Sequence, residues 1–388
     1  MIMRLLGCIA AAAALSGCDA PTVPSGPLPP QTVMLFATPK FISDFSRPEE
    51  DIARFFEHYS SLTSRMEETV VVFAVGNSDH ILEYRGAEHW DDLVEWARFT
   101  EHALHPVFHQ TLDYHQLRGI VRAFRSEAAR LGLNVKIVDQ IEQGLEFTPN
   151  DFKTRRHPEC TMSTNGIYAS YDIRARLTSD AFKYASAPGG IEAGTQCGEF
   201  LVDQMERYVE DLDFDGILYG NQLGTRGQWR PEWGPGYSAD EAAAIRTFMQ
   251  DTRRALGEKD LIWFDSYNTV EVERDFFSFP TDAYQYFDYV IASGFCIITE
   301  TNQYLATLKS KLRLDGRARI LATLDYVDPW YRYKSMTEFP SESRRLEEIA
   351  INYRYWIGGI VFFANDGEGE LVPRPVVESF ARRYFEGT

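Results

Sequence analysis

Eight short runs rich in β-branched and aromatic residues recur along this chain, each followed by polar or glycine-rich residues and then by a helical pattern. They are Val33–Ala37 (VMLFA), Val70–Val75 (VVVFAV), Val135–Val138 (VKIV), Phe214–Tyr219 (FDGILY), Leu261–Phe264 (LIWF), Phe287–Ala292 (FDYVIA), Ile320–Leu324 (ILATL) and Gly359–Ala364 (GIVFFA). Continuous apolar runs of this length suit strands buried on both faces of a parallel sheet. The segments between them are punctuated as helices. Ser238-Ala239-Asp240-Glu241 reads as a capping box, Gly257 and Gly132 as stops, and Pro48 as a first-turn residue. Strand and helix thus alternate, and a count of eight predicts an α/β fold, a (β/α)8 or TIM barrel. A doubly wound open sheet is the alternative, but no G-x-G-x-x-G follows the first run.

The barrel is expected to fill residues 32–388 as a single domain, with a long connection after the third strand, about residues 140–195. Residues 1–17 place one Arg before an apolar run that ends in small residues, the layout of a secretory signal. Leu15-Ser16-Gly17-Cys18 resembles the lipobox of bacterial lipoproteins, which implies lipidation of Cys18 and attachment to the cell envelope, on the periplasmic face of the inner membrane or on the outer membrane. Residues 18–31 are Pro-rich and read as the anchor and tether. The formal net charge of −18 argues against nucleic acid as a partner. Cys160 and Cys197 flank one long polar segment, and their pairing would restrain it.

In a (β/α)8 barrel the residues just after each strand line one rim, where the chemistry sits. The third strand is followed by Asp139, Gln140, Glu142 and Glu146, and the fourth by Asn221, Gln222 and Arg226, with Trp229 and Trp233 beyond. The fifth delivers Asp265, Tyr267 and Asn268, the seventh Asp325, Asp328 and Trp330, the eighth Asn365, Asp366 and Glu368. Glycoside cleavage needs two carboxyl groups across the scissile bond, one protonated and one ionised. Asp265 follows Trp263 and Phe264, an apolar setting that raises a carboxyl pKa as a general acid requires. Glu142 has a comparable placement. Asp325 and Asp366 have an ordinary reading beside the catalytic one, as caps of the turns that follow. The amide and aromatic groups are expected to hold sugar hydroxyls and ring faces.

No metal or other cofactor is expected. His102, His105, His109 and His115 lie close in sequence, but Pro106 breaks the helix that would align them, and no H-x-H or H-E-x-x-H occurs. No G-x-S-x-G points to serine chemistry.

FDGILYGNQ, residues 214–222, resembles the F-D-G-[I/L]-D-[I/F]-D-x-E strand of the chitinase-type glycoside hydrolases in Phe214-Asp215-Gly216-Ile217. Leu218, Gly220 and Gln222 stand where that family has carboxylates, so its acid does not carry over. The retaining cellulase-like barrels place Asn-Glu after the fourth strand, where this chain has Asn221-Gln222. The broader resemblance, to a glycoside-hydrolase barrel, implies a glycosidase acting on an oligo- or polysaccharide through Asp265 with Glu142, Asp325 or Asp366. The alternative is a carbohydrate-binding surface lipoprotein on a degenerate barrel that does not cut.

Overall fold

The computed structural model describes residues 24, 26–73, 114–141, 146–147, 158–160, 169–170, 172–178, 194–220, 238–265, 268–293, 301–327, 340–366 and 368–387. Each of the eight runs forms a strand: β1 (Thr32–Ala37), β2 (Glu68–Phe73), β3 (Val135–Ile141), β4 (Gly216–Gly220), β5 (Asp260–Asp265), β6 (Tyr289–Ala292), β7 (Arg319–Leu324) and β8 (Gly359–Phe363). All pair in parallel, and the sheet closes in the order β1-β8-β7-β6-β5-β4-β3-β2. The strands alternate with α1 (Glu49–His58), α2 (Tyr114–Leu131), α3 (Cys197–Leu212), α4 (Ala239–Leu256), α5 (Val270–Phe277), α6 (Thr301–Lys311), α7 (Pro340–Tyr353) and α8 (Arg374–Glu386). The chain is the expected (β/α)8 barrel.

Both faces of such strands are apolar, so contacts rather than periodicity show which residues face the axis. Trp263 stacks on Phe279 at 4.8 Å, Tyr219 meets Phe248 of α4 at 6.1 Å, and Tyr326 donates a 2.5 Å hydrogen bond to Glu347 of α7. Those side chains lie in the helix layer, and their neighbours along each strand turn inward. The rings of Phe36 (β1), Phe264 (β5) and Phe363 (β8) meet at the axis, at 6.1, 5.4 and 6.4 Å between centroids. Followed through the strand register, inward residues stack in layers drawn from alternate strands. Met34, Val138, Ile262 and Leu321 make one, and Val72, Leu218, Ile291 and Val361 the next. Phe36, Gln140, Phe264 and Thr323 lie above, toward the C-terminal ends of the strands.

The layer at the opposite pole is ionic. Thr32, Lys136, Asp260 and Arg319 occupy it, with Lys136 Nζ 2.9 Å from Asp260 and 3.1 Å from Glu68, and Arg319 donating to Thr32 Oγ1 at 3.1 Å. The Tyr289 hydroxyl donates to Glu68. Burial pushes the Asp260 carboxyl up to about 6, Lys136 opposes that rise, and Asp288 and Glu68 add to it. The chain enters beside this layer. Tyr355 donates to Gly26 O at 3.1 Å, Gln31 Nε2 donates to Ile357 O at 3.2 Å, and Tyr384 donates to Gln31 Oε1 at 2.7 Å.

The Phe-Asp-Gly-Ile stretch belongs to the same pole. Asp215 accepts from Ile137 N at 2.7 Å and from Arg125 at 3.0 Å, and its carbonyl accepts from Asp260 N at 2.7 Å. A Cβ on Gly216 would lie 2.1 Å from Asp260 O, so the approach of β4 to β5 requires glycine there. Asp215 and Gly216 of that stretch thus hold β3, β4 and β5 together at the pole opposite the mouth.

The long β3–α3 connection is present. In it Glu146–Phe147 pairs antiparallel with Ala169–Ser170, and Cys160 is disulfide-bonded to Cys197 at the start of α3, with 5.9 Å between Cα atoms. The expected capping box of α4 closes through an intermediary: Ser238 Oγ accepts from Glu241 N at 3.3 Å, while Ser278 accepts from Ser238 N at 2.9 Å and donates to Glu241 at 3.1 Å.

Candidate functional site

Above the phenyl layer the barrel mouth becomes polar. Thr323 and Leu321 face inward, and Asp325, the next inward position past the end of β7, is 2% exposed and stands at the height of Thr38, which follows β1. Tyr326 beside it turns out to Glu347, and Ser343 of α7 donates to the Asp325 carbonyl at 3.2 Å. Asp325 is thus a buried carboxylate at the mouth, and its backbone is fixed by the helix behind it. On β3, directly across the ring of strands, Gln140 faces in and is 2% exposed. Ser293 follows β6 and is buried.

Two expected site residues are occupied in holding their own loop. Asn365 Oδ1 accepts from Thr38 N at 2.9 Å, and its Nδ2 donates to Thr38 Oγ1 at 2.6 Å, fastening the seam between β1 and β8. Asp366 Oδ1 accepts from Glu368 N at 2.9 Å and Glu370 N at 3.0 Å, the turn-capping role open to it from sequence. Asp139, read as a rim residue, faces the helix layer instead, where Tyr208 of α3 donates to it at 2.6 Å.

Asp265 is the last residue of β5, in register with Ala292 of β6. The two aromatics expected to enclose it point to opposite faces: Trp263 lies among the helices with its Nε1 donating to Glu273 at 3.3 Å, and Phe264 lies on the axis. The Asp265 side chain lies outside the described residues, as do Glu142, Asn221, Gln222, Arg226, Trp229, Trp233, Tyr267, Asp328, Trp330 and Cys18. Asn268 is half-buried just before α5.

Sequence reasoning missed the phenyl floor, the Thr38–Asn365 clasp and the ionic layer. The last did leave a signal, since Lys136 is a charged residue inside the apolar run VKIV.

No protein-family model matches the chain, and no curated protein matches it. Among solved structures it is similar to the PgaB (BpsB) glycoside hydrolase domain from Bordetella bronchiseptica, at 10% identity and a TM-score of 0.50, over 92% of this chain and 99% of that one. It also matches TtGalA, an α-galactosidase from Thermus thermophilus, in complexes with p-nitrophenyl α-D-galactopyranoside and with stachyose, at 11% and 12% identity and TM-scores of 0.46 and 0.47. Those matches cover 92% and 91% of this chain, which spans only 63% and 66% of the galactosidase chains. The likeness to the Bordetella domain, end to end in both chains, is one of fold: a (β/α)8 barrel of the kind that glycoside hydrolases carry.

Proposed function

We propose that this chain is a glycoside hydrolase acting on an oligo- or polysaccharide at the C-terminal mouth of the barrel. The observation that carries the reading is Asp325, a buried carboxylate turned into a mouth with an aromatic floor. A carboxyl at this place is one of the two that glycoside cleavage needs, as the group that protonates the leaving oxygen or, ionised, stabilises positive charge at the sugar. Its partner is Glu142, the next residue after β3, or Asp265 at the end of β5. Asp366, whose Oδ1 holds its own turn, is the less favoured candidate for the pair. Asn221, Gln222, Arg226, Tyr267, Asn268 and Asp328 would hold hydroxyls, and Trp229, Trp233 and Trp330 would stack on ring faces.

The test is release of reducing ends from a panel of bacterial and plant glycans. Asp325→Asn should cost about a hundredfold or more in rate with binding kept. An unchanged rate removes Asp325, and the same comparison in Glu142→Gln and Asp265→Asn identifies the partner. One sequence observation favours a second reading: Asn221 and Gln222 follow β4 where cellulase-like barrels carry their acid. A chain that binds glycans by calorimetry but cuts none of them is the binding lipoprotein instead. No helix among the described residues is long and apolar enough to cross a membrane. Attachment through a lipid on Cys18 is part of the proposal, and Cys18→Ser should release the protein from the membrane fraction.

A further inference from the structure

Asp325 stands where the pairing of its strand runs out. The register of β7 with β6 ends at Ala322 and that with β8 ends at Leu324, one residue short of Asp325. Beyond that point α7 grips the chain. Ser343 Oγ donates to the Asp325 carbonyl at 3.2 Å, and four residues further along α7, Glu347 accepts from the Tyr326 hydroxyl at 2.5 Å. Residues i and i+4 share a helix face, so both contacts come from the side of α7 that packs on β7. Arg383 of α8 donates to the other oxygen of Glu347.

Packing alone does not call for this arrangement. The Tyr326 ring meets Phe362 of β8 at 4.8 Å and Phe380 of α8 at 6.4 Å, contacts that a phenylalanine would keep. Glu347 is 7% exposed, and a carboxylate is costly to bury there where a leucine is not. What the polar pair adds is direction, since a hydrogen bond fixes an atom's place where an apolar contact lets it slide.

Resting on the reading of Asp325 as one of the two carboxyls of a glycan site, we infer that Tyr326 and Glu347 are positioning residues for cleavage. Their hydrogen bond behind β7 sets where the Asp325 carboxyl stands, and a misplacement of about 1 Å at a reacting group costs up to about a hundredfold in rate. Neither side chain faces the mouth, so the pair governs the rate of cleavage and leaves glycan binding alone.

The experiment uses the whole protein and the glycan that it cleaves fastest. It measures kcat, KM and melting temperature for Tyr326→Phe, Glu347→Leu, Glu347→Gln and the double variant Tyr326→Phe/Glu347→Leu, beside Asp325→Asn. Tyr326→Phe and Glu347→Leu should each lower kcat about tenfold, with KM within about twofold of the parent. Glu347→Gln keeps an acceptor for Tyr326 and should recover most of that loss, although it gives up the charge that Arg383 meets. The double variant should lose no more than either single one, because both substitutions break the same bond. Losses in kcat that follow the fall in melting temperature rather than the hydrogen bond would make the pair a packing device. Should Glu347→Leu fail to fold, Tyr326→Phe and Glu347→Gln decide alone, the first slow and the second near the parent. If Asp325→Asn is slow while Tyr326→Phe cuts like the parent, only this inference falls. If the parent cuts no glycan, or Asp325→Asn cuts at the parental rate, the reading of the mouth falls with it.

Discussion

Reducing the Cys160–Cys197 bridge tests how the long β3–α3 connection is held. The two cysteines are 37 residues apart, are fully buried, and tie a turn in the connection to the first residue of α3. Cross-linking a loop of that length removes roughly 13 cal/mol/K of entropy from the unfolded chain, or about 4 kcal/mol at 25 °C. The folded side offers little strain relief on reduction, because backbone bonds hold the same region independently. Asp172 N donates to Cys160 O at 2.7 Å, Cys197 N to Ala175 O at 2.8 Å, and Gly198 N to Ile173 O at 3.0 Å. The reduced protein should therefore keep its fold and lose about 4 kcal/mol against guanidinium, with the two thiols still filling their space. A Cys160→Ala/Cys197→Ala variant should lose somewhat more, since two buried sulfurs also leave the core. Denaturant unfolding with and without reductant, on both proteins, measures each quantity. A loss on reduction below about 1 kcal/mol would refute the reasoning, because the connection would then be as restrained in the unfolded chain without the bridge as with it.

Gly216→Ala forces a methyl to within 2.1 Å of the Asp260 carbonyl, which only separation of β4 from β5 relieves. It should cost about 3 kcal/mol or more, read from the denaturant midpoint, and a cost under about 1 kcal/mol would mean that the strands do not approach as described. Lys136→Met removes the cation shared by Asp260 and Glu68 and should destabilise by about 3 kcal/mol at neutral pH, with less loss at pH 4.5, where Asp260 holds its proton. For Asp260 the folded value of about 6 stands above the ordinary 3.8, so the folded state binds this proton more tightly than the unfolded one. Its contribution is fully present below about pH 3.8 and is lost as pH rises through about 6, a change of up to about 3 kcal/mol that Asp260→Asn should remove from a stability profile taken between pH 4 and 7.5.

The strands were legible because each is covered on both faces, which gives runs such as VVVF and IVFF with no polar alternation. That same property hid the site. In FDGILY or LIWFD nothing distinguishes the residues that face the axis from those that face the helices, so Trp263 and Phe264 looked like one enclosure although β5 sends them opposite ways. Asp325 and Asp366 were equal candidates by sequence. Only the hydrogen bonds from Glu368 and Glu370 assign one to a turn, and only the outward Tyr326 sets the facing of the other. The Ser238–Glu241 box was readable as a local pattern, but Ser278, which completes it from a segment 40 residues away, was not. The disulfide was readable from the flanking of one polar segment by two cysteines, a relation that needs no facing to be known.

The place where the chain joins the barrel sets the direction in which the mouth looks. Gly26 and Gln31 are clasped by Tyr355, Tyr384 and the turn at Ile357, beside the ionic layer and at the pole opposite Asp325. A chain that enters the barrel at one pole leaves the mouth at the other pole clear of its own entry segment.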